Sequence, residues 1–473
     1  MIPQAFLILP GLLIVCGVFA YVALARPFRA VTVFLALLLL HEMLLRWLSN
    51  FGALEGSTLR LVSLWKEAAL VGLLIGIAIG TWRSGRQIVI QAPDRALFVF
   101  LAVAAVSAAI SPNRLPAVAA LRDYGEPALL FIIGRLVLPS RSELRRWIWT
   151  WLLLLVAIGA LGLWQGVAWD SADYVHYGFG DVSSQVGIPD VRLDGSMRIR
   201  PPSTVTGPNE LALHMMLAAI LSVSMLLMGL ADQWVPIFAL ILSLGTLILT
   251  ASRSGFLAVA TAFPIVVWAK GQIPSARIGV WLDRSKLSVL IIGGLVIVIG
   301  FAWISGFAGH LFQTILDLPT EYHIIDTWGA VQYLSAHPAG VGMGMVGPRK
   351  GFGFPVVPLF HVEGSLFQIA MEMGIWGLAV FVVAVFLGIA RVASNMRQIR
   401  SEGMQIITTL TIASWAGSLV AFLILPLMQA LPLMAYLWFL LGFACSAKEI
   451  EASWTAGRRL SPQAAPTMPP PSG

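Results

Sequence analysis

The chain has 473 residues, of which 58% are apolar and only 11% are charged, and its mean hydropathy is +0.86. This composition excludes a soluble domain and indicates a polytopic membrane protein. Lipid offers the backbone no hydrogen-bond partners, and the apolar runs show no alternation, so we predict an all-α bundle of membrane helices. The net charge of +7 does not indicate nucleic acid, because basic residues of membrane proteins collect in cytoplasmic loops.

Thirteen apolar runs are long enough to form membrane helices, or twelve if the first run lies in the membrane interface. Residues 1–6 contain no basic residue and the run beyond them is span-length, so we expect no cleaved signal peptide. In chain order the predicted helices cover 6–24, 30–48, 61–82, 95–111, 116–138, 147–169, 210–230, 233–250, 254–270, 286–307, 364–390, 404–425 and 428–446.

The distribution of arginine and lysine predicts the orientation of these helices. Basic residues gather in the first, third, fifth, ninth and eleventh connections. Because such residues favour the cytoplasmic side, the N-terminus and the two long connections, 170–209 and 308–363, are predicted to lie outside. The membrane domain then covers 1–447, and 448–473 forms a cytoplasmic, proline-rich tail that we expect to be disordered.

Charged residues inside apolar runs need a partner or a task, because one charge at mid-bilayer costs about 2.5 to 3.5 kcal/mol. Glu42 and Arg46 are four residues apart, so we predict an internal pair on one helix face. Arg122 lies in LRDYGEP, where Pro127 interrupts the helical hydrogen-bond ladder. Arg122 is therefore a candidate for facing a cavity and binding a substrate.

The outer connection RIRPPSTVTGPNELALH carries Arg198 and Arg200 on the side that the charge rule disfavours for basic residues. Asn209 is predicted to cap a helix that begins at Glu210. Guanidinium groups beside a helix N-terminus form a site for an anion such as phosphate. The alternative is that these arginines extend to lipid head groups.

The stretch TASRSGF forms a tight turn between the eighth and ninth predicted helices. It holds Arg253 at the outer face, between two serines and close to a glycine. The turn is too short to let this side chain wander, so Arg253 is predicted to point along the membrane surface or into a cavity.

The segment from Gly309 to Gly377 is the largest part of the chain that lipid cannot cover. Its stretch HPAGVGMGMVGPRKGFGFP excludes a continuous helix, and His337 at its start is a candidate for binding substrate. His361 and Glu363 lie where this segment meets the eleventh predicted helix. A carboxylate at a helix N-terminus stays ionised, which favours Glu363 as a proton acceptor, although Glu363 as a simple cap for this helix is the alternative.

Three of these stretches, RPPSTVTGPNELA, TASRSG and HPAGVGMGMVG with EGSLFQIAMEMGIWG, together resemble the O-antigen ligase and polymerase family of bacterial envelope glycan enzymes. The resemblance covers about residues 100 to 390. It implies a GT-C-like glycosyltransferase of the bacterial inner membrane, with periplasmic loops at 170–209 and 308–363. Such enzymes transfer a glycan from undecaprenyl pyrophosphate without nucleotide sugar, ATP or metal.

The resemblance also implies roles for individual residues. Arg253 matches the arginine of the family's S-R-S-G turn, and Arg198 or Arg200 matches the arginine ahead of its P-N helix start. The ligases carry a His-Asn pair where this chain has Glu363 and Gly364, so the polymerase branch fits better, with Glu363 or His361 as the base. The alternatives are a ligase that transfers the glycan to lipid A core or protein, and, from another class, a transporter or flippase for lipid-linked sugars.

The expected partners follow from this reading. They are an undecaprenyl-pyrophosphate-linked glycan, membrane lipid and a candidate chain-length regulator protein, without nucleic acid. No cofactor is expected. The two cysteines, Cys16 and Cys445, both lie in apolar runs and predict neither a disulfide framework nor a metal cluster.

Overall fold

The computed structural model describes residues 5–52, 56–179, 190–193, 196–230, 233–272, 318–346, 362 and 364–459. Two short strands, Asp190–Leu193 and Ser196–Ile199, pair antiparallel, with Val191 opposite Arg198. The elements in chain order are α1 (Ala5–Ala25), α2 (Pro27–Asn50), α3 (Gly56–Ser63), α4 (Trp65–Arg83), α5 (Ala92–Ile110), α6 (Arg114–Leu136), α7 (Arg141–Ala168), α8 (Ser171–His176), β1 (Asp190–Leu193), β2 (Ser196–Ile199), α9 (Pro208–Met228), α10 (Trp234–Thr250), α11 (Arg253–Gln272), α12 (Leu318–Ala336), α13 (Ser365–Met396), α14 (Glu402–Phe422), a 3₁₀ turn (Leu427–Gln429), α15 (Leu431–Cys445) and α16 (Ala447–Arg459).

The chain is a multi-pass helical membrane protein. Within the described residues, nine helices are long and apolar enough to cross a membrane, or ten if the bent pair α15 and α16 counts as one span. Helix α10 has only 17 residues, and α6 carries four or more charged residues. The predicted span 286–307 lies outside the described residues. These three segments account for the difference between thirteen and ten spans, and α15 accounts for the difference between ten and nine. The span 286–307 stays a prediction.

The predicted helix ranges that fall on described residues agree with the observed ones to within six residues. The structure corrects the tail prediction, because residues 447–459 form helix α16. Among the contacts that hold this helix in place, Trp454 Nε1 donates to the Pro139 carbonyl at 2.7 Å, and Glu451 accepts the Ser401 N–H at 2.6 Å. Residues 460–473 lie outside the described part of the chain.

Two further expectations were wrong. Residues 318–336 belong to the polar segment from Gly309 to Gly377, for which we expected irregular structure because lipid cannot cover it, but they form helix α12. Glu42 and Arg46 do not form an ion pair in the part of the chain that the structure describes. Instead Arg46 donates to the Thr206 carbonyl at 2.8 Å and lies 4.5 Å from the centre of the Phe179 ring. Arg46 thus joins α2 to the chain ahead of α9.

Contacts between distant elements define two ends of the bundle. At the first end, the C-terminus of α2 reaches the chain before α9, and Ser111, just after α5, donates to the Met343 carbonyl at 2.8 Å. We call this the loop end. At the other end, Arg29 of α2 lies 3.8 Å from Glu143 of α7, and α16 docks beside Pro139. We call this the basic end, because the predicted cytoplasmic connections lie there.

Candidate functional site

Arg200 is partly buried at the loop end, in the segment between β2 and α9. Its Nε donates to the Thr250 carbonyl at the end of α10, and one terminal nitrogen donates to Asn209 Oδ1 at 2.7 Å. Both acceptors are neutral. Among the described residues, no carboxylate lies within ion-pairing distance of Arg200. The guanidinium is therefore held in place without a counter-ion from this part of the protein.

A second arginine acts on the same group. Burial, together with the positive charge of Arg253, lowers the pKa of Arg200 to about 10. Two cations thus lie close enough to repel each other at the loop end. This repulsion falls when an anion lies between or beside the two guanidinium groups.

The S-R-S-G turn places Arg253 by simple local chemistry. Helix α10 ends at Thr250, Ala251 adopts φ 46, and α11 begins at Arg253. The Ser252 hydroxyl accepts the Gly255 N–H at 3.3 Å, which caps the helix and fixes Arg253 in its first turn. A Cβ on Gly255 would lie 2.6 Å from the Ala212 Cβ, so glycine lets α11 approach α9. The prediction of a tight turn is confirmed.

Asn209 does not cap its helix as predicted. Helix α9 begins at Pro208, so its cap is Gly207 and Asn209 lies inside the first turn. From this position the Asn209 side chain turns to Arg200 instead. Arg200, Arg253 and Asn209 therefore come together beside the N-termini of α9 and α11, where the helix dipoles add positive potential.

Residues 201–207, between Arg200 and α9, are largely buried and are hydrogen-bonded to α7. We call this segment the strap. Ser203 has φ 55, its N–H donates to Gln165 Oε1 at 2.7 Å, and its hydroxyl donates to the Ile158 carbonyl at 2.6 Å. Glu210 completes the strap by accepting the Thr206 N–H at 3.0 Å. These bonds satisfy backbone groups that would otherwise be buried without partners, and they fix the position of Arg200.

The glycine-rich stretch after α12 is built into a break in helix α13. At Gly374 the backbone leaves helical geometry, with φ 73 and ψ 176. The Ile375 N–H, which would bond to the Met371 carbonyl in a regular helix, donates to the Pro338 carbonyl at 3.0 Å. The Met371 carbonyl accepts the Val341 N–H at 2.7 Å instead. The loop thus takes over hydrogen bonds that the break would leave unmade.

This junction needs glycine on both sides. Gly340 has φ 78, and a Cβ there would lie 2.4 Å from the Met371 carbonyl oxygen. A Cβ on Gly374 would lie 2.6 Å from the Pro338 carbonyl oxygen. No side chain fits between backbones at these distances. The HPAGVG and MEMG stretches of the sequence are therefore two halves of one structural joint.

Glu372 stabilises the same joint, although it was not among the site residues predicted from the sequence. Its carboxylate is buried, with Oε2 accepting the Tyr124 hydroxyl at 2.6 Å and Oε1 accepting the Gly344 N–H at 3.2 Å. The signal available in the sequence was an acidic residue in an apolar helix next to a helix-breaking glycine. Glu372 connects α13, α6 and the glycine-rich loop.

Arg122 lies in a separate ion cluster between α4 and α6. Its guanidinium is 3.3 Å from Glu67, 3.4 Å from Asp123 and 3.7 Å from Glu126, and its side chain is 45% exposed. Lys66 completes the cluster at 2.9 Å from Glu67. The described residues bring Arg122 to none of the other candidate site residues, so its role in binding substrate stays a prediction.

The structure describes the remaining candidate site residues only in part. His337 is exposed at the end of α12, where its ring stacks on Tyr333 at 4.4 Å. Arg198 lies in strand β2, and its side chain is outside the described part of the structure. His361 and Glu363 also lie outside the described residues. They flank Val362, which is buried, and α13 begins at Ser365, two residues after Glu363.

Comparison with known proteins identifies no family. No protein-family model matches the chain. None of the curated proteins matches it either. The structure establishes a multi-pass helical membrane protein, and the resemblance to glycan ligases and polymerases stays an expectation from the sequence. No group of three or more potential metal ligands occurs in the part of the chain that the structure describes.

Proposed function

We propose that this protein is a glycosyltransferase that polymerises undecaprenyl-pyrophosphate-linked repeat units for a bacterial surface polysaccharide. The proposal rests on one observation, the placement of Arg200 beside Arg253 at two helix N-termini of the loop end, with neutral partners for Arg200. A pyrophosphate supplies the two negative groups that such a pair can hold. That the pyrophosphate carries a glycan is inferred from the resemblance of the sequence motifs to the ligase and polymerase family.

The proposed step is a substitution at the anomeric carbon of the donor sugar. The acceptor hydroxyl oxygen forms a bond to that carbon, and the bond between the carbon and the pyrophosphate oxygen breaks. The leaving pyrophosphate keeps the electron pair, and the two arginines stabilise its charge. The hydroxyl proton goes to a base, for which the sequence offers Glu363 or His361.

The rigid neighbours of the pair support this assignment. The hydrogen bonds of residues 201–207 fix the position of Arg200, and the Ser252 cap holds Arg253 in the first turn of α11. The joint at Gly374 anchors the chain on either side of the candidate base. A preorganised site of this kind does not need to reorganise as charge develops on the leaving group.

A purified-enzyme assay with an undecaprenyl-pyrophosphate-linked repeat unit tests the proposal. The wild type should lengthen the glycan and release undecaprenyl pyrophosphate. Arg253→Lys keeps the charge but loses the planar fork of donors, and Arg200→Gln loses the charge, so each should lower turnover by about 10²-fold or more. Arg95→Gln, an exposed arginine of the basic end, is the matched control and should keep full activity.

Several outcomes would redirect the assignment. Wild-type turnover in both Arg253→Lys and Arg200→Gln would show that the pair does not act on the donor. Transfer to lipid A core or protein without chain growth would indicate a ligase, and movement of the donor across vesicles without transfer would indicate a flippase. Full activity in Glu363→Gln with loss in His361→Ala would assign the base to His361.

The orientation has its own test. Ser335 is exposed at the loop end and Ser394 is exposed near the basic end. In intact cells, Ser335→Cys should react with a membrane-impermeant thiol reagent and Ser394→Cys should not, because the proposed site faces the periplasm. The reverse pattern would place the arginine pair in the cytoplasm and remove the periplasmic donor from the proposal.

A further inference from the structure

A cavity of about 270 Å³ lies at the basic end, far along the bundle from the arginine pair. By volume it could hold about nine water molecules, which is enough for a small polar group. Its charged walls are Arg86, Arg135 and Glu449. Its apolar walls are Ile88, Val89 and Leu138.

The charges of this cavity are not equivalent. Arg135 is committed to the protein, since Nε lies 3.0 Å from Asp94 and a terminal nitrogen lies 3.4 Å from Glu449. Arg86 makes a single hydrogen bond within the described residues, from one terminal nitrogen to the Leu136 carbonyl at 2.6 Å. A guanidinium has five N–H groups, so most donors of Arg86 are available to a ligand.

Glu449 also keeps capacity for a ligand. One carboxylate oxygen accepts from Gln91 at 2.8 Å and the other faces Arg135, while its side chain is 39% exposed. A carboxylate offers about four acceptor positions, and these two contacts use two of them. The cavity therefore presents a cation with spare donors and an anion with spare acceptors on its walls.

The rim of the cavity is apolar where it faces outward. Ile88 and Val89 are 54% and 66% exposed, and Trp82 at the end of α4 is 80% exposed. Exposed tryptophan and aliphatic residues beside arginines at the end of a membrane helix are typical of the interface with lipid. The polar head of a ligand in this cavity would thus contact charged side chains, and its apolar tail would contact lipid.

We infer that this cavity binds the head group of an aminophospholipid such as phosphatidylethanolamine. Arg86 takes the phosphate, and Glu449 takes the ammonium group, whose N–H donors match the spare acceptors of the carboxylate. The acyl chains leave past Ile88 and Val89 into the bilayer. Choline lacks the N–H groups, and a glycerol head group lacks the positive charge, so charge complementarity selects the amine.

Lipid binding to the purified full chain tests this inference without any assay of activity. The protein is reconstituted in detergent with equal amounts of dioleoyl phosphatidylethanolamine, phosphatidylcholine and phosphatidylglycerol, and bound lipid is counted by native mass spectrometry. The wild type should retain the ethanolamine lipid about tenfold over the choline lipid, since charge-assisted hydrogen bonds contribute that much. Arg86→Gln should lower the retention of all three lipids to the level of general adsorption.

Glu449→Gln should remove the preference for ethanolamine over glycerol while phosphate binding continues. Because Glu449 also contacts Arg135, this variant can fail to fold, so Gln87→Trp serves as a second probe. Gln87 is exposed and lines the cavity, and a tryptophan there would block entry while leaving every charge in place. Arg95→Gln is the matched control. Equal retention of the three lipids by the wild type, or unchanged retention in both Arg86→Gln and Gln87→Trp, would overturn the inference.

Discussion

Arg135 and Arg200 lie at opposite ends of the same helix bundle, and their partners differ in kind. Arg135 is almost fully buried and contacts two carboxylates, at 3.0 Å in Asp94 and at 3.4 Å in Glu449. Arg200 contacts a carbonyl and an amide oxygen, and the positive charge of Arg253 acts on it. A buried ion pair joins helices, whereas a cation that keeps its charge among neutral groups is suited to binding an anion from outside.

The carboxylates of the two ends show the same contrast. At the basic end Asp94 faces an arginine. At the loop end, two of the groups that Glu372 contacts are a hydroxyl and a backbone N–H, both neutral. Arg200 and Glu372 at the loop end thus each make hydrogen bonds with neutral groups. The bound substrate, under the proposed function, brings the counter-charge with it.

The largest expected effect is on stability, and it should appear at the basic end. Arg135→Gln leaves the carboxylate of Asp94 buried without its cation, which should cost about 3 to 5 kcal/mol. Arg200→Gln removes a cation that has neutral partners and a repelling neighbour, so the loss should stay near 1 kcal/mol. Thermal unfolding of both variants in one detergent measures the difference. Equal losses would mean that Arg200 is a structural group like Arg135.

A smaller loss of stability should follow removal of the lock on the glycine-rich joint. Glu372→Ala leaves the Tyr124 hydroxyl and the Gly344 N–H buried without an acceptor, which should cost about 1 to 3 kcal/mol. Tyr124→Phe removes one bond only and should cost less. Protease sensitivity of the chain between α12 and α13, measured with both variants, reports the joint directly. If Glu372→Ala unfolds no more easily than the wild type, Glu372 does not hold the loop.

The sequence predicted the helices well because hydrophobic length alone decides where lipid can cover a chain. It also predicted that TASRSG is a tight turn, since serine caps and glycine packing are local effects. It missed the joint at Gly374, because the Pro338 and Val341 bonds unite residues 30 or more positions apart. Helix α12 was missed for a similar reason: its polar composition resembles a loop, and Ala330 and Leu334 join an apolar cluster to which α13 and the loop contribute.

The pairing of charges was the least predictable feature. Spacing placed Glu42 and Arg46 on one helix face, but Arg46 finds a carbonyl on the chain before α9 instead. Spacing also made Asn209 a cap, whereas Pro208 starts the helix and turns the Asn209 side chain to Arg200. Partners that come from distant segments cannot be deduced from separation along one helix.

Asn209→Asp should break the contrast between Arg135 and Arg200, because it gives Arg200 a carboxylate partner as well. The substitution keeps the shape of the side chain and gives Arg200 a built-in carboxylate at the present 2.7 Å contact. Acidic residues are also favourable in the first turn of a helix, so stability should stay equal or rise slightly. Binding of geranyl pyrophosphate, measured by calorimetry, should weaken about tenfold or more, because the new carboxylate competes with the ligand. Unchanged affinity would separate Arg200 from the anion site.

Arg200→Lys should sharpen the contrast between the two arginines by making anion binding at the loop end depend on pH. The affinity should change little at low pH. Burial and the charge of Arg253 lower the pKa of Arg200 to about 10, and an arginine with that pKa stays charged at neutral pH. A lysine starts from a pKa of about 10.4, and the same two causes lower it from there. The anion binds the protonated form, so affinity must fall as the pH rises past the lowered pKa of the lysine. Geranyl pyrophosphate binding by Arg200→Lys should therefore weaken progressively between about pH 7 and pH 9, a window below the usual pKa of lysine.

The wild type should bind equally well across this range, and Arg95→Lys at the basic end is the control for general effects of pH. A flat profile in Arg200→Lys would mean that the site is more open to water than the contacts of Arg200 indicate.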